Sequence, residues 1–196
     1  MRNSPTLILL LAILCVVISS GQTWAHPGHY HPPEEVDEFD EEAFFVAAAH
    51  PFTGLDHLLA MLVVGALAAG GRRGLGAVFV AGVAAGFVSG LVGPEWLVAL
   101  TLVAVGGCLW RGPPVAGAWV WIAVGLTGFL HGGVHAGDLR GLPAGLGLVA
   151  GTLAGVALVI MMMRKLASPR AVVVRCAGAT VAFIGVLLTL ARVALS

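Results

Sequence analysis

Charged residues are scarce in this chain: Asp, Glu, Lys and Arg make up 10% of its 196 residues, and their formal charges cancel. No basic patch exists that would favour nucleic-acid binding. The three cysteines form no Cys-x-x-Cys pair, so neither a disulfide framework nor a thiolate metal cluster is indicated. A phosphate-binding Gly-x-x-x-x-Gly-Lys-Ser/Thr motif is also lacking. The sequence therefore predicts that this chain does not itself hydrolyse ATP.

Apolar residues are abundant instead, at 59% of the sequence. From Phe44 onward, apolar runs alternate with short breaks of Gly, Pro and Arg, which is typical of a helical membrane protein. We therefore predict an all-α integral membrane protein whose residues 44–196 form one domain, a bundle of six transmembrane helices. The predicted spans lie near residues 44–69, 75–92, 95–110, 115–136, 144–163 and 172–194.

Two segments precede this bundle. Residues 1–25 combine a positive start, an apolar core and a small-residue ending, which predicts a cleavable secretory signal peptide. The core is shorter than the roughly 20 residues that cross a bilayer, so an uncleaved anchor is the weaker alternative. Residues 26–43 lack helical or strand periodicity and predict an extracytoplasmic tail rich in histidine and acidic residues. Either this tail is a solvated linker, or it captures divalent metal through His26, His29 and His31.

The basic residues in the loops predict the orientation of the bundle. An extracytoplasmic mature N-terminus would place the loops that carry Arg72, Arg111 and Arg164 in the cytoplasm. Arg140 and Arg192 would then lie outside. This arrangement agrees with the positive-inside rule. We therefore expect a multi-pass protein of the bacterial cytoplasmic membrane, with both mature termini extracytoplasmic.

Glycines recur at intervals of four in the second and fifth predicted spans. Such a face lets two membrane helices approach closely. Each glycine series lies in the second helix of a three-helix half, which hints at an inverted three-plus-three repeat. The two series are Gly82, Gly86 and Gly90 in the second span, and Gly147, Gly151 and Gly155 in the fifth.

The first cluster of polar groups begins the first span, from His50 to Met61. A charged side chain at the bilayer centre costs about 2.5 to 3.5 kcal/mol on insertion scales, so an ionisable cluster there indicates a functional site. On an ideal helix His50, His57 and Met61 share one stripe that could face a metal ion, whereas Asp56 lies on an adjacent sector. Asp56 would then contact the metal through a distortion near Gly54, or orient a histidine from outside. Met61 is the weakest of these candidates, because methionines in membrane helices more often pack.

The second cluster lies at the outer end of the fourth span, where His131, His135 and Asp138 fall on one helical face. The first span runs inward and the fourth outward, so the two clusters overlap in depth. We therefore pair His57 with His131, and His50 with His135 or Asp138 nearer the entrance. Two successive metal sites suit conduction, which needs an ion to bind and then to leave. Imidazoles with a carboxylate favour nickel, cobalt, copper or zinc over magnesium and calcium.

The spacing His-Pro-x-x-Gly-x-Asp-His-x-x-x-Met resembles the first-helix signature of the HupE/UreJ family of nickel/cobalt permeases, over a region from about Phe44 to the C-terminus. The second cluster resembles that family's Phe-His-Gly-x-Ala-His-Gly-x-Glu. In this chain Leu130, Val134, Ala136 and Asp138 replace Phe, Ala, Gly and Glu.

The resemblance implies an uptake permease that is not an enzyme and has no permanently bound cofactor, with Ni²⁺ as cargo and Co²⁺ second. The ion would pass between the first and fourth helices. The residues it implies as metal ligands are His50, Asp56, His57, His131, His135 and Asp138.

Two alternatives assign other functions to the histidines of this chain. A membrane metalloenzyme or haem protein would use the histidines of the first and fourth spans as metal or axial ligands. A metal sensor or chaperone would rely mainly on the histidines of the N-terminal tail. The sequence gives no indication of the oligomeric state.

Overall fold

The computed structural model describes residues 39–72, 74–91, 93–112, 117–166 and 171–195. The signal peptide and the three tail histidines, His26, His29 and His31, lie outside these residues. The described residues form seven helices without a strand, as expected of an all-α protein. They are α1 (Glu41–Thr53), α2 (Leu55–Ala69), α3 (Leu75–Ser89), α4 (Glu95–Arg111), α5 (Ala118–His135), α6 (Gly141–Lys165) and α7 (Ala171–Leu195).

The first predicted span consists of two helices rather than one. Helices α1 and α2 meet at Gly54 with a bend of 73°. Gly54 has extended backbone angles, φ −88° and ψ 126°, and it caps the start of α2. Pro51, in the last turn of α1, has no N–H to continue the helical ladder, which favours a break here. The other five predicted spans each correspond to one helix, with ends that differ by a few residues.

The helices suit a membrane to different degrees. Among the described residues, α6 and α7 are each long and apolar enough to cross a bilayer, and the bent α1–α2 pair would be a third span if counted as one. Helix α3 has 15 residues. At 1.5 Å per residue it covers about 22 Å, less than the roughly 30 Å hydrocarbon core. The six-span count therefore stays a prediction.

Three helix pairings organise the bundle: α1 and α2 pack along α6, α3 along α5, and α4 along α7. Counted as six helical units, the first pairs with the fifth, the second with the fourth and the third with the sixth. Exchanging the two halves of the chain leaves this set of pairings unchanged. The pairing therefore has the pattern expected of a three-plus-three repeat.

The predicted glycine faces lie at these helix contacts. A Cβ added at Gly86 would meet the Phe129 carbonyl of α5, and one added at Gly151 would meet the Ala48 carbonyl of α1. The expectation for Gly90 was wrong. It ends α3 in the left-handed conformation, at φ 63°, and a Cβ there would have nothing within 4 Å. Its role is to cap a helix rather than to allow a close contact.

Candidate metal centre

Four histidine side chains converge from three helices. His50 lies in the last turn of α1, His57 in the first turn of α2, and His131 and His135 near the end of α5. His50, His57 and His135 each offer a ring nitrogen, and these three atoms lie within 4.8 Å of one another. The residues that the sequence assigned to two separate motifs therefore form one cluster.

The ring contacts include the pairs expected from the depth of the helices. The ring centroids of His57 and His131 are 4.8 Å apart, and those of His50 and His135 are 4.3 Å apart. His57 also lies 4.7 Å from the His135 ring and 5.4 Å from the His50 ring. The arrangement is thus a continuous series of rings with His57 at its centre, rather than two separate sites.

The break at Gly54 creates this geometry. In one straight helix, His50 and His57 would be separated by about 10 Å of rise. The 73° bend instead brings their rings into contact. A Cβ on Gly54 would lie 3.1 Å from Asp56 Oδ1 and 3.3 Å from His57 Nδ1. A larger residue at this position would therefore press on the two groups that follow the break.

Asp56 fixes the orientation of His57. Its Oδ1 accepts a hydrogen bond from the His57 backbone N–H at 2.9 Å and lies 3.2 Å from His57 Nδ1. A neutral imidazole that donates from Nδ1 carries its lone pair on Nε2, the form that binds a metal. The side chain is buried, and Nε2 has no hydrogen-bond partner among the described residues. The ring therefore presents an unpaired electron donor within the protein.

His131 repeats this arrangement with a backbone partner. The residue is fully buried, and its Nδ1 lies 2.7 Å from the Thr127 carbonyl oxygen, one turn earlier in α5. Since a carbonyl only accepts, Nδ1 carries the proton and Nε2 is left as the donor of electrons. Within the part of the chain that the structure describes, this Nε2 also has no partner. A buried polar atom left unpaired costs about 1–3 kcal/mol, which a bound cation would offset.

Both oxygens of the Asp56 carboxylate have protein partners. Oδ1 contacts His57, and Oδ2 accepts a hydrogen bond from Arg192 Nη2 at 3.0 Å. This geometry suits the second role that the sequence allowed, in which Asp56 orients a histidine, and the direct binding of metal by Asp56 stays a prediction. Asp56 thus belongs to the cluster through His57.

Asp138 and Met61 lie differently from the expectation. Helix α5 ends at His135, so Asp138 is in the following turn and exposed, rather than on the face of a continuing helix. An electrostatic interaction still links it to His50. Met61 is buried, and its sulfur packs where Gly155 of α6 leaves space for it. Its position is that of a packing residue.

Sequence reasoning missed two contributors to the cluster. Arg192, on α7, was noted only for its side of the membrane, yet its guanidinium reaches Asp56, 136 residues earlier in the chain. No local motif marks such a pairing. The Thr127 carbonyl was missed because any residue type supplies a backbone oxygen. Its only signal is the spacing of four residues before His131 on a helix.

Comparison with known proteins gives two matches. The family model described as HupE / UreJ protein matches residues 13–188. It begins well before Phe44, so the expected limit of the resemblance was wrong and the match includes the acidic tail. Protein HupE of Rhizobium leguminosarum bv. viciae is 35% identical over 150 residues, which are 69% of this chain and 78% of that protein. No solved structure matches the chain.

Proposed function

This chain belongs to the HupE/UreJ family, and on that premise we propose that it is a permease for nickel uptake, with cobalt as second cargo. One observation supports the proposal most directly. Three histidines from three different helices, His50, His57 and His135, offer ring nitrogens within 4.8 Å of one another inside an apolar bundle. Such a cluster is costly in a membrane unless it binds an ion.

The chemistry of the donors supports a divalent transition metal. Neutral imidazoles suit nickel, cobalt, copper and zinc, whereas calcium and magnesium require oxygen ligands. Affinity alone would favour copper, so the choice of nickel rests on the family. Three histidine nitrogens do not complete the coordination of such a metal, so water or the fourth imidazole, His131, would supply the remaining ligands. Incomplete coordination suits a permease, since the ion must also leave.

The proposed path runs between α1–α2 and α5. The ion enters from the extracytoplasmic side at His50 and His135, moves to His57 and His131, and continues to the cytoplasm. Both mature termini are extracytoplasmic in this arrangement, in the cytoplasmic membrane. His26, His29 and His31 of the tail would raise the local supply of metal without forming the path.

A membrane metalloenzyme is the second candidate, because three histidines with an open position also make a catalytic zinc site. A haem is less compatible with this geometry. The His50 and His135 rings contact edge to face at 4.3 Å, as do the His57 and His131 rings at 4.8 Å, so no planar macrocycle fits between them. The two remaining candidates differ in whether the metal is retained or moved.

Uptake into proteoliposomes tests the proposal. The full-length protein is reconstituted, and uptake of nickel, cobalt, copper and zinc is measured beside a His50→Ala/His135→Ala double variant at equal protein content. We expect saturable nickel uptake by the wild type and none by the variant. A wild type that purifies with tightly retained metal and moves none would favour the metalloenzyme. Equal uptake by wild type and variant would show that His50 and His135 are not needed for transport.

Neutralising Asp138 should weaken uptake in a way that depends on salt. This exposed carboxylate interacts with His50 at the proposed entrance, so it attracts cations without binding them in the path. For Asp138→Asn we expect a several-fold higher KM at low ionic strength and an unchanged maximal rate. The difference should nearly vanish at about 1 M salt, where the Debye length is about 3 Å.

Glu41→Gln is the control for Asp138→Asn, because Glu41 is also exposed but begins α1, away from the histidines. Its KM should change less. An Asp138→Asn variant that loses uptake at every salt concentration would show that the carboxylate binds the ion directly.

A further inference from the structure

The last turn of α7 contributes one side chain to the metal centre. Arg192 Nη2 donates to Asp56 Oδ2 at 3.0 Å, and Nη1 donates to the Glu95 carbonyl oxygen at 2.9 Å. Its Nε lies 3.4 Å from Glu95 Oε2. One guanidinium thus joins the end of α7 to the first turn of α4 and the first turn of α2. Residue 192 lies beyond the range that the family model matches, 13–188.

The contacts continue from Arg192 to the unpaired nitrogen of His57. Arg192 holds one oxygen of Asp56, the other oxygen contacts His57 Nδ1, and Nε2 of that ring is then the electron donor. We propose that Arg192 is a positioning residue of the metal centre: it holds Asp56 so that the carboxylate fixes the orientation of His57. This inference rests on the proposed function, because it assigns a role to Arg192 in metal binding by that same cluster.

The chemistry of the side chains favours a role for Arg192 in positioning Asp56 over a role only in holding helices together. Asp56 is largely buried, and a buried carboxylate without a cation is strongly unfavourable. A planar guanidinium can bind two acceptors at fixed angles, which an ammonium cannot. Arg192 donates one hydrogen bond to the Glu95 carbonyl and one to Asp56, so the α4 backbone fixes the guanidinium that positions Asp56. Partners outside the ligand set that fix a histidine in this way are typical of metal sites.

The same helix offers a matched control. Arg175 Nε donates to the Trp110 carbonyl oxygen at 2.9 Å, so it also ties α7 to α4, at the opposite end of both helices. Arg175 lies near the start of α7, at the end opposite Arg192 and the contact with Asp56. Arg175→Gln and Arg192→Gln therefore each remove one arginine-to-carbonyl bond between the same two helices. Only the second removes the contact with Asp56.

The test measures metal affinity and transport separately. Purified full-length variants are titrated with Co²⁺ by visible absorption, and the same preparations are assayed for nickel uptake in proteoliposomes. For Arg192→Gln we expect Kd and KM to rise about 10- to 100-fold, the usual cost of losing a contact that orients a ligand. Arg192→Lys should be intermediate. Arg175→Gln should stay within about twofold of the wild type.

A double variant separates positioning from stability. If Arg192 acts through Asp56, Arg192→Gln should have little further effect on the Co²⁺ Kd in an Asp56→Asn protein. Additive effects would overturn the inference, as would an equal loss in Arg175→Gln or a wild-type Kd in Arg192→Gln. Tighter binding by Arg192→Gln would also overturn it, because Asp56 would then be a ligand that Arg192 restrains. If Arg192→Gln fails to fold, Arg192→Lys decides: an intermediate Kd supports the inference and a wild-type Kd overturns it.

The two readouts distinguish this inference from the proposed function. A wild type that binds Co²⁺ but moves no nickel overturns the permease, while the titrations still decide the role of Arg192. Nickel uptake with identical KM in wild type and Arg192→Gln supports the permease and overturns the inference. A wild type that neither binds nor moves metal overturns both.

Discussion

Replacing His57 by alanine is expected to abolish nickel uptake. His57 is the ring that contacts all three other histidines, so its loss divides the cluster into separate parts. The fall should be at least the roughly 10- to 100-fold that follows the loss of a supporting contact alone. Initial rates in proteoliposomes, at equal amounts of folded protein, measure the effect.

Met61→Leu is the control for His57→Ala. Met61 lies one turn further along α2 and is buried against Gly155, and a swap that keeps the volume costs less than about 1.5 kcal/mol. We expect uptake near that of the wild type. Loss of uptake in Met61→Leu would show that its sulfur binds the metal. Wild-type uptake in His57→Ala would contradict the proposed path.

Adding one methyl group at Gly86 should destabilise the whole bundle. A Cβ there would meet the Phe129 carbonyl, and a backbone atom cannot rotate aside as a side chain can. Helices α3 and α5 would have to separate, at a cost of about 1–3 kcal/mol or more. For Gly86→Ala we expect Tm in detergent to fall by several degrees, at roughly 2–4 °C per kcal/mol for a chain of this size.

The same substitution at Gly107 is the matched control. Gly107 lies within α4, and a Cβ there would have nothing within 4 Å. Alanine is favoured over glycine in a helix by about 1 kcal/mol, so Gly107→Ala should keep or raise Tm. Equal losses of Tm for the two variants would show that the close contact between α3 and α5 does not hold the bundle together.

The positions of the helices could largely be predicted from the sequence. Apolar runs are separated by Gly, Pro and Arg, and helices α2, α3 and α4 each end at a glycine. The spacing of four between glycines predicted the helix contacts at Gly86 and Gly151 but not the role of Gly90, because a missing Cβ leaves room for a neighbouring backbone only where a neighbour lies. The pairing of His57 with His131 followed from depth alone, since alternate helices run in opposite directions.

Features that depend on one residue's backbone or on distant partners could not be predicted. The sequence offered a distortion near Gly54 only as one of two alternatives, because Pro51 is compatible with a continuous helix as well as with a break. The extended backbone angles of Gly54 decide the bend. The end of α5 at His135, which removes Asp138 from the helical face, follows a Gly-Gly pair that leaves both outcomes open. No local sequence pattern predicts the contact between Arg192 and Asp56, because the two residues are 136 positions apart.

The joint at Gly54 also makes the number of metal ligands sensitive to a small rotation. His50 lies four residues before it, about 6 Å along the helix. A pivot of about 10° at this joint would therefore move the His50 backbone by about 1 Å, whereas ligand distances in a metal site hold within about 0.2 Å. Tilting one short helix by that amount would take the proposed centre from three imidazoles to two. A hinge of one residue would thus release an ion while the contact between Gly86 of α3 and Phe129 of α5 stays closed.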